Sequence, residues 1–152
     1  MENTKTTNDF KGMLGQLEAV FDEYLGKKAP QLPENVREII VKIAPYAEIL
    51  MVIMGVMGVL AIFGLTGVAM PYMMAYGASP LYFISTVIMV IGLVMSGMAI
   101  PGLFARSKQG WNLIYWASLV NAVSMLVRFD VMSVLFSVIG LYFLFQIKTK
   151  YK

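Results

Sequence analysis

The chain contains no cysteine and no histidine. Without thiols there are no disulfides and no thiolate metal sites. Without imidazole the usual zinc and haem ligands and the commonest general base are missing too. Charge is also scarce. Only 14% of residues are charged, and between Glu48 and Arg128 the only charges are Arg106 and Lys108. The net charge is only +3, and the basic residues flank apolar runs instead of forming a stripe interleaved with aromatics. That pattern argues against a nucleic-acid partner. The opening stretch "MENTKTTNDFKGM" has no apolar core of its own, so nothing in it reads as a removable secretory signal. No cofactor is implied by what remains.

Apolar residues make up 59% of the chain and the mean hydropathy is +0.72, more than a water-soluble domain needs to fill one core. The expectation is an all-α integral membrane protein. A spanning helix takes about 20 mainly apolar residues to cross roughly 30 Å of hydrocarbon. Four segments meet or approach that length: residues 46–70, 81–104, 111–127 and 131–147. They should pair as two antiparallel hairpins. The turn between the third and fourth holds only Arg128, Phe129 and Asp130.

Lysine and arginine accumulate on the cytoplasmic side of short loops. Lys27, Lys28, Arg37 and Lys42 precede the first span, Arg106 and Lys108 lie between the second and third, and Lys148, Lys150 and Lys152 follow the fourth. All three groups fall on one side, which predicts cytoplasmic termini and a multi-pass protein of a bacterial inner membrane. Trp111, Tyr115 and Trp116, beside the second basic group, are expected in the aromatic belt at the interface.

Two amphipathic stretches come before the spans. In "DFKGMLGQLEAVFDEYL", Phe10, Leu14, Leu17, Phe21 and Tyr24 recur at spacings of four and three and share one helical face, with Asp9 placed to cap the N-terminus. The opposite face holds Lys11, Glu18, Asp22 and Glu23. It is acidic, so the apolar face suits a protein partner at least as well as anionic lipid. "PENVREIIVKIAP" predicts a short juxtamembrane helix between Pro33 and Pro45, with "KKAPQLP" as linker. Three regions result: residues 1–28, a cytoplasmic amphipathic helix; residues 29–45, linker and juxtamembrane helix; and residues 46–152, the four-span bundle with a short basic tail.

Within the spans, Gly55, Gly58, Ala61, Gly64 and Gly67 recur every third residue. Small residues let membrane helices approach closely, so this ridge is assigned to helix packing. Met51, Met54 and Met57 form a run of thioethers with no Cys or His beside them, and are read as fillers of irregular apolar gaps instead of copper ligands. Glu48 follows Pro45 and Tyr46 closely, which places it in the first turn of its span, where the helix dipole favours a carboxylate. Asn121, Ser124 and Arg128 share a face of the third span and, with Asp130, could line a shallow polar pocket opening outward. Glu48 and Asp130 fall on opposite sides of the membrane, too far apart for acid–base chemistry.

"YLGKKAPQLPENVREIIVKIAP", "IPGLFARSKQGWNLIYW" and "IGLYFLFQIKTKYK" resemble segments of small four-span bacterial membrane proteins. The resemblance runs from Tyr24 onward and implies a topology, without a reaction, ligand or catalytic residue. The expected role is non-enzymatic: a scaffold or subunit in contact with membrane lipid that self-associates or docks a protein partner. Its contact surfaces would be the face of Phe10, Leu14, Leu17 and Phe21 and the glycine ridge. The alternative is a small-solute channel or transporter using the outward pocket.

Overall fold

The computed structural model describes the backbone of residues 2–75, 80–127 and 129–152, and the side chains of all of these except 2–8, 10, 63, 65–75 and 82. Five helices account for nearly all of it: α1 (Glu2–Phe21), α2 (Glu34–Ala75), α3 (Pro80–Phe104), α4 (Lys108–Val127) and α5 (Val131–Gln146). A wide π-type stretch, Asp22–Lys28, extends α1, and a single tight turn, Lys148–Lys150, follows α5. The all-α expectation is met.

Three helices are long and apolar enough to cross a membrane, through Glu34–Ile62 of α2, Phe83–Phe104 of α3 and Lys108–Val127 of α4. The 16 residues of α5 are apolar but shorter.

Several boundaries differ from the sequence reading: α2 runs on past residue 70 to Ala75 and α4 starts at Lys108, and two differences change the architecture. α1 begins at Glu2, so Asp9 lies inside the helix and does not cap it. Residues 2–11 contain neither proline nor glycine, and nothing in them stops the helix from growing toward the N-terminus. α2 runs without a break through Pro45, fusing the juxtamembrane helix to the first span. An interior proline costs about 3 kcal/mol. A helix broken at the edge of hydrocarbon would leave several backbone groups unpaired, at several kcal/mol each. Continuation wins.

α2 to α5 stand in chain order, with α3 and α4 packed most intimately, α2 against α3 and α5 against α4. The α3–α4 turn reverses direction at Arg106, whose φ is 50°. Ser107 then caps α4, its hydroxyl accepting from the Gly110 N–H at 3.1 Å. The C-terminal tail is pinned to this turn, since Lys108 N donates to Lys152 O and Lys152 N to Arg106 O, both at 3.0 Å.

The core gathers at the same end, from Val41, Leu103, Trp111, Tyr115, Leu141, Phe145 and Tyr151 among others. Trp111 and Tyr115 are each only 1% exposed. They do not form an interfacial belt. One turn apart on α4, they stack at 5.5 Å, and both meet the ring of Phe145 edge-on. The indole N–H donates to the Leu144 carbonyl at 3.0 Å. Trp116, on the neighbouring face, is half-buried.

Candidate functional site

Between α1 and the pair α4–α5 lies a groove of about 770 Å³. One wall is α1 and its extension, from Leu14 through Leu17 and Phe21 to Leu25; the others are α4 from Trp116 to Leu126 and α5 from Val134 to Leu141. At 1.5 Å per residue each of the longer walls extends about 15 Å, close to three helical turns. Three of the four residues expected to form a partner-binding face, Leu14, Leu17 and Phe21, line this groove; the side chain of Phe10 lies outside the described residues.

α1 is held at its C-terminal end. Phe21 packs on Phe145 at 6.1 Å, and Lys148 reaches Glu18 at 3.0 Å and Asp22 at 3.3 Å while lying over the Trp111 ring. Below this clamp, Gln146 ties the π-type stretch and the linker to α5. Its amide donates to the Leu25 carbonyl at 2.8 Å and accepts from Leu32 N at 3.2 Å and from Arg37 at 3.3 Å. Gln146 is 2% exposed. A lone amide at the basic end of an apolar helix was the only sequence signal that could have marked it.

The small-residue ridge divides. A Cβ on Gly55 would stand 2.5 Å from Leu93 Cδ1, so Gly55 does let α2 approach α3. A Cβ on Gly58 or Gly64 would have nothing within 4 Å among the described residues, and Ala61 is exposed. Gly67 has a described backbone, but its surroundings lie outside the described residues. One close backbone approach between helices was not anticipated: a Cβ on Gly110 would lie 2.3 Å from the carbonyl carbon of Gly102. Met51, Met54 and Met57 are each more than 60% exposed. They project from α2 instead of filling internal gaps.

The residues expected to open outward as one pocket point to different places. Ser124 is 3% exposed, and its hydroxyl donates to the Ser85 carbonyl on α3 at 2.8 Å. Such interhelical bonds contribute about 1 kcal/mol. Asp130 caps α5, accepting from Ser133 N at 3.1 Å and from the Ser133 hydroxyl. Arg128 lies outside the described residues. Asn121 turns inward across Gly92, where a Cβ would meet its amide oxygen at 2.3 Å. There it lines a cavity of about 180 Å³ together with Glu48 and Ser96.

The chain matches no protein-family model, no curated protein and no solved structure. Function therefore has to follow from the groove, the ridge and the cavity. Among the described residues no three His, Cys, Asp or Glu side chains cluster to hold a metal.

Proposed function

We propose that the protein is a four-span integral membrane protein of a bacterial inner membrane with both termini cytoplasmic. It acts without catalysis, as a scaffold or subunit that associates with further copies of itself. The observation that carries this reading is the groove between α1 and α4–α5, large, apolar and left open by the folded chain. Lipid tails alone are a poor occupant. α1 and its extension carry Asp9, Lys11 and Glu23 beside the groove face, and hydrocarbon does not solvate them. A protein helix fills the groove and leaves those charges at its rim.

The complementary surface is on α2. Gly58, Ala61 and Gly64 form a small-residue ridge with none of the described residues against the two glycines, and a groove walled by Leu14, Leu17, Phe21 and Trp116 offers large side chains to pack on such a ridge. Groove and ridge are different surfaces, so the association is head-to-tail.

Native mass spectrometry of protein released gently from its own membrane tests the reading. A homo-oligomer is expected, reduced to monomer by Leu14→Glu with Leu17→Glu and, separately, by Gly64→Leu. A wild-type monomer, or assembly unchanged in both variants, would remove self-association. A different protein bound in its place would keep the groove and reject the ridge.

A further inference from the structure

The apolar stretch of α3, Phe83–Phe104, has its middle near Leu93, and Leu93 packs on Gly55. That contact marks the middle of the bilayer for a pair of crossing helices. Glu48 is seven residues away on α2, about 10 Å at 1.5 Å per residue, within a hydrocarbon half-thickness of about 15 Å. Ser96, three residues from Leu93, is about 5 Å from the middle, and Asn121 packs over Gly92 beside it.

The end of a helix does not account for this carboxylate. α2 begins at Glu34, fourteen residues earlier, so the dipole and free N–H groups expected to favour Glu48 are several turns away. The cavity puts polar atoms around it instead. Ser96 of α3 is its polar neighbour, and Asn121 of α4 lines the same space. The other walls are apolar, Met51 and Val52 from α2 and Met89 and Leu93 from α3. None of these residues, on any of the three helices, is charged or titratable. The nearest basic residue along α2 is Lys42, exposed and six residues toward the cytoplasm.

We infer that Glu48, Ser96 and Asn121 form a site within the membrane for a small primary alkylammonium ion, taken up as the carboxyl releases a proton. A carboxylate in hydrocarbon needs a counter-charge, and the cavity supplies none of its own. The three side chains offer oxygen acceptors from three helices, matching the three N–H donors of an ammonium head, and the Met and Leu walls suit an alkyl tail. A volume of about 180 Å³ equals roughly six water molecules at about 30 Å³ each, enough for a head and a few carbons. The balance is one proton to water for one cation bound, so the occupied and the protonated site are both neutral. Gly92 is a positioning residue, since any side chain there displaces the Asn121 amide.

The site rests on α2 crossing the bilayer, which membrane-impermeant maleimide labelling of Glu34→Cys, at the start of α2, and Leu81→Cys, at the start of α3, tests separately. The probe is n-butylammonium, titrated calorimetrically into the full chain in phosphatidylcholine nanodiscs, in buffers of different ionisation enthalpy so that released protons are counted. One site is expected, tighter as pH rises, with proton release approaching one at the acid end. Glu48→Gln should weaken binding at least about tenfold and Gly92→Ala about three- to tenfold, with the exposed-carboxylate control Glu23→Gln unchanged. Should Glu48→Gln lose its unfolding transition, Gly92→Ala carries the test. No binding, affinity independent of pH, or equal affinity in both site variants would overturn the proposal. Equal binding of sodium or of tetramethylammonium, which has no N–H, would overturn the assignment to a primary ammonium.

Discussion

Single side chains decide how the basic end of the molecule closes. Gln146 satisfies a carbonyl and an N–H of the π-type stretch and linker at once. Gln146→Leu keeps the volume and leaves both unpaired, for an expected loss of about 1–3 kcal/mol. Denaturant unfolding in detergent should show it, together with faster amide exchange confined to residues 25–32. Lys150 lies 3.2 Å from Glu38 and also reaches Glu34, and hydrogen bonds to Glu34 and then to Glu38 hold its pKa above the ordinary lysine value. A base whose folded pKa is raised stabilises the fold fully below its unfolded pKa, near 10.4 for lysine, and loses that contribution as pH climbs through the folded value. The gap in melting temperature between wild type and Lys150→Met should therefore be constant from about pH 7 to 10 and close above that range. A gap already closing near neutrality would show that Lys150 does not hold the tail.

Between elements, the glycines separate by what stands opposite them. At Gly110 a methyl group would meet the Gly102 backbone, which cannot rotate away as a side chain can. Gly110→Ala should cost about 3 kcal/mol, at the upper end for overpacking, read as a lower unfolding midpoint in detergent. Within one copy Gly58→Ala meets no described residue and gains helix propensity, so for the monomer in detergent it should be neutral or stabilising by up to about 1 kcal/mol. Equal effects at the two positions would mean that the α3–α4 crossing is looser than described. Sequence spacing singled out the row containing Gly58, and missed the pair that the fold brings together, because Gly102 and Gly110 belong to two helices joined by a turn and share no helical period.

At the scale of the whole molecule, orientation is the property to test, and a chain without cysteine is a ready background for it. Phe129→Cys, in the exposed turn before α5, should react with a membrane-impermeant maleimide from outside intact cells. Thr149→Cys, in the basic tail, should react only after permeabilisation. The opposite labelling would invert the topology, and labelling of both from outside would mean an odd number of crossings, taking α5 out of the membrane. Leucine at Asn121 should lower thermal stability modestly and abolish alkylammonium binding; lost stability with intact binding would make Asn121 a packing residue alone.

The apolar runs, the turns between them and the grouping of basic residues were legible in one dimension. Each follows from local chain chemistry: enough consecutive apolar residues to form a long helix, and proline, glycine or charged residues between the runs. What the tertiary structure alone decided is which face of each helix packs on what. In a soluble protein the polar face of a helix announces its outside, but a span is apolar all round, since lipid and neighbouring helix are equally dry. So the sequence could not tell that Trp111 and Tyr115 turn inward, that Met51, Met54 and Met57 turn out, or that Asn121 leaves Ser124 for Glu48. The face of α1 was readable because water still distinguishes its two sides. The contacts of Gln146 with residues 25 and 32 join parts of the chain more than one hundred positions apart, and only a folded chain brings them within reach.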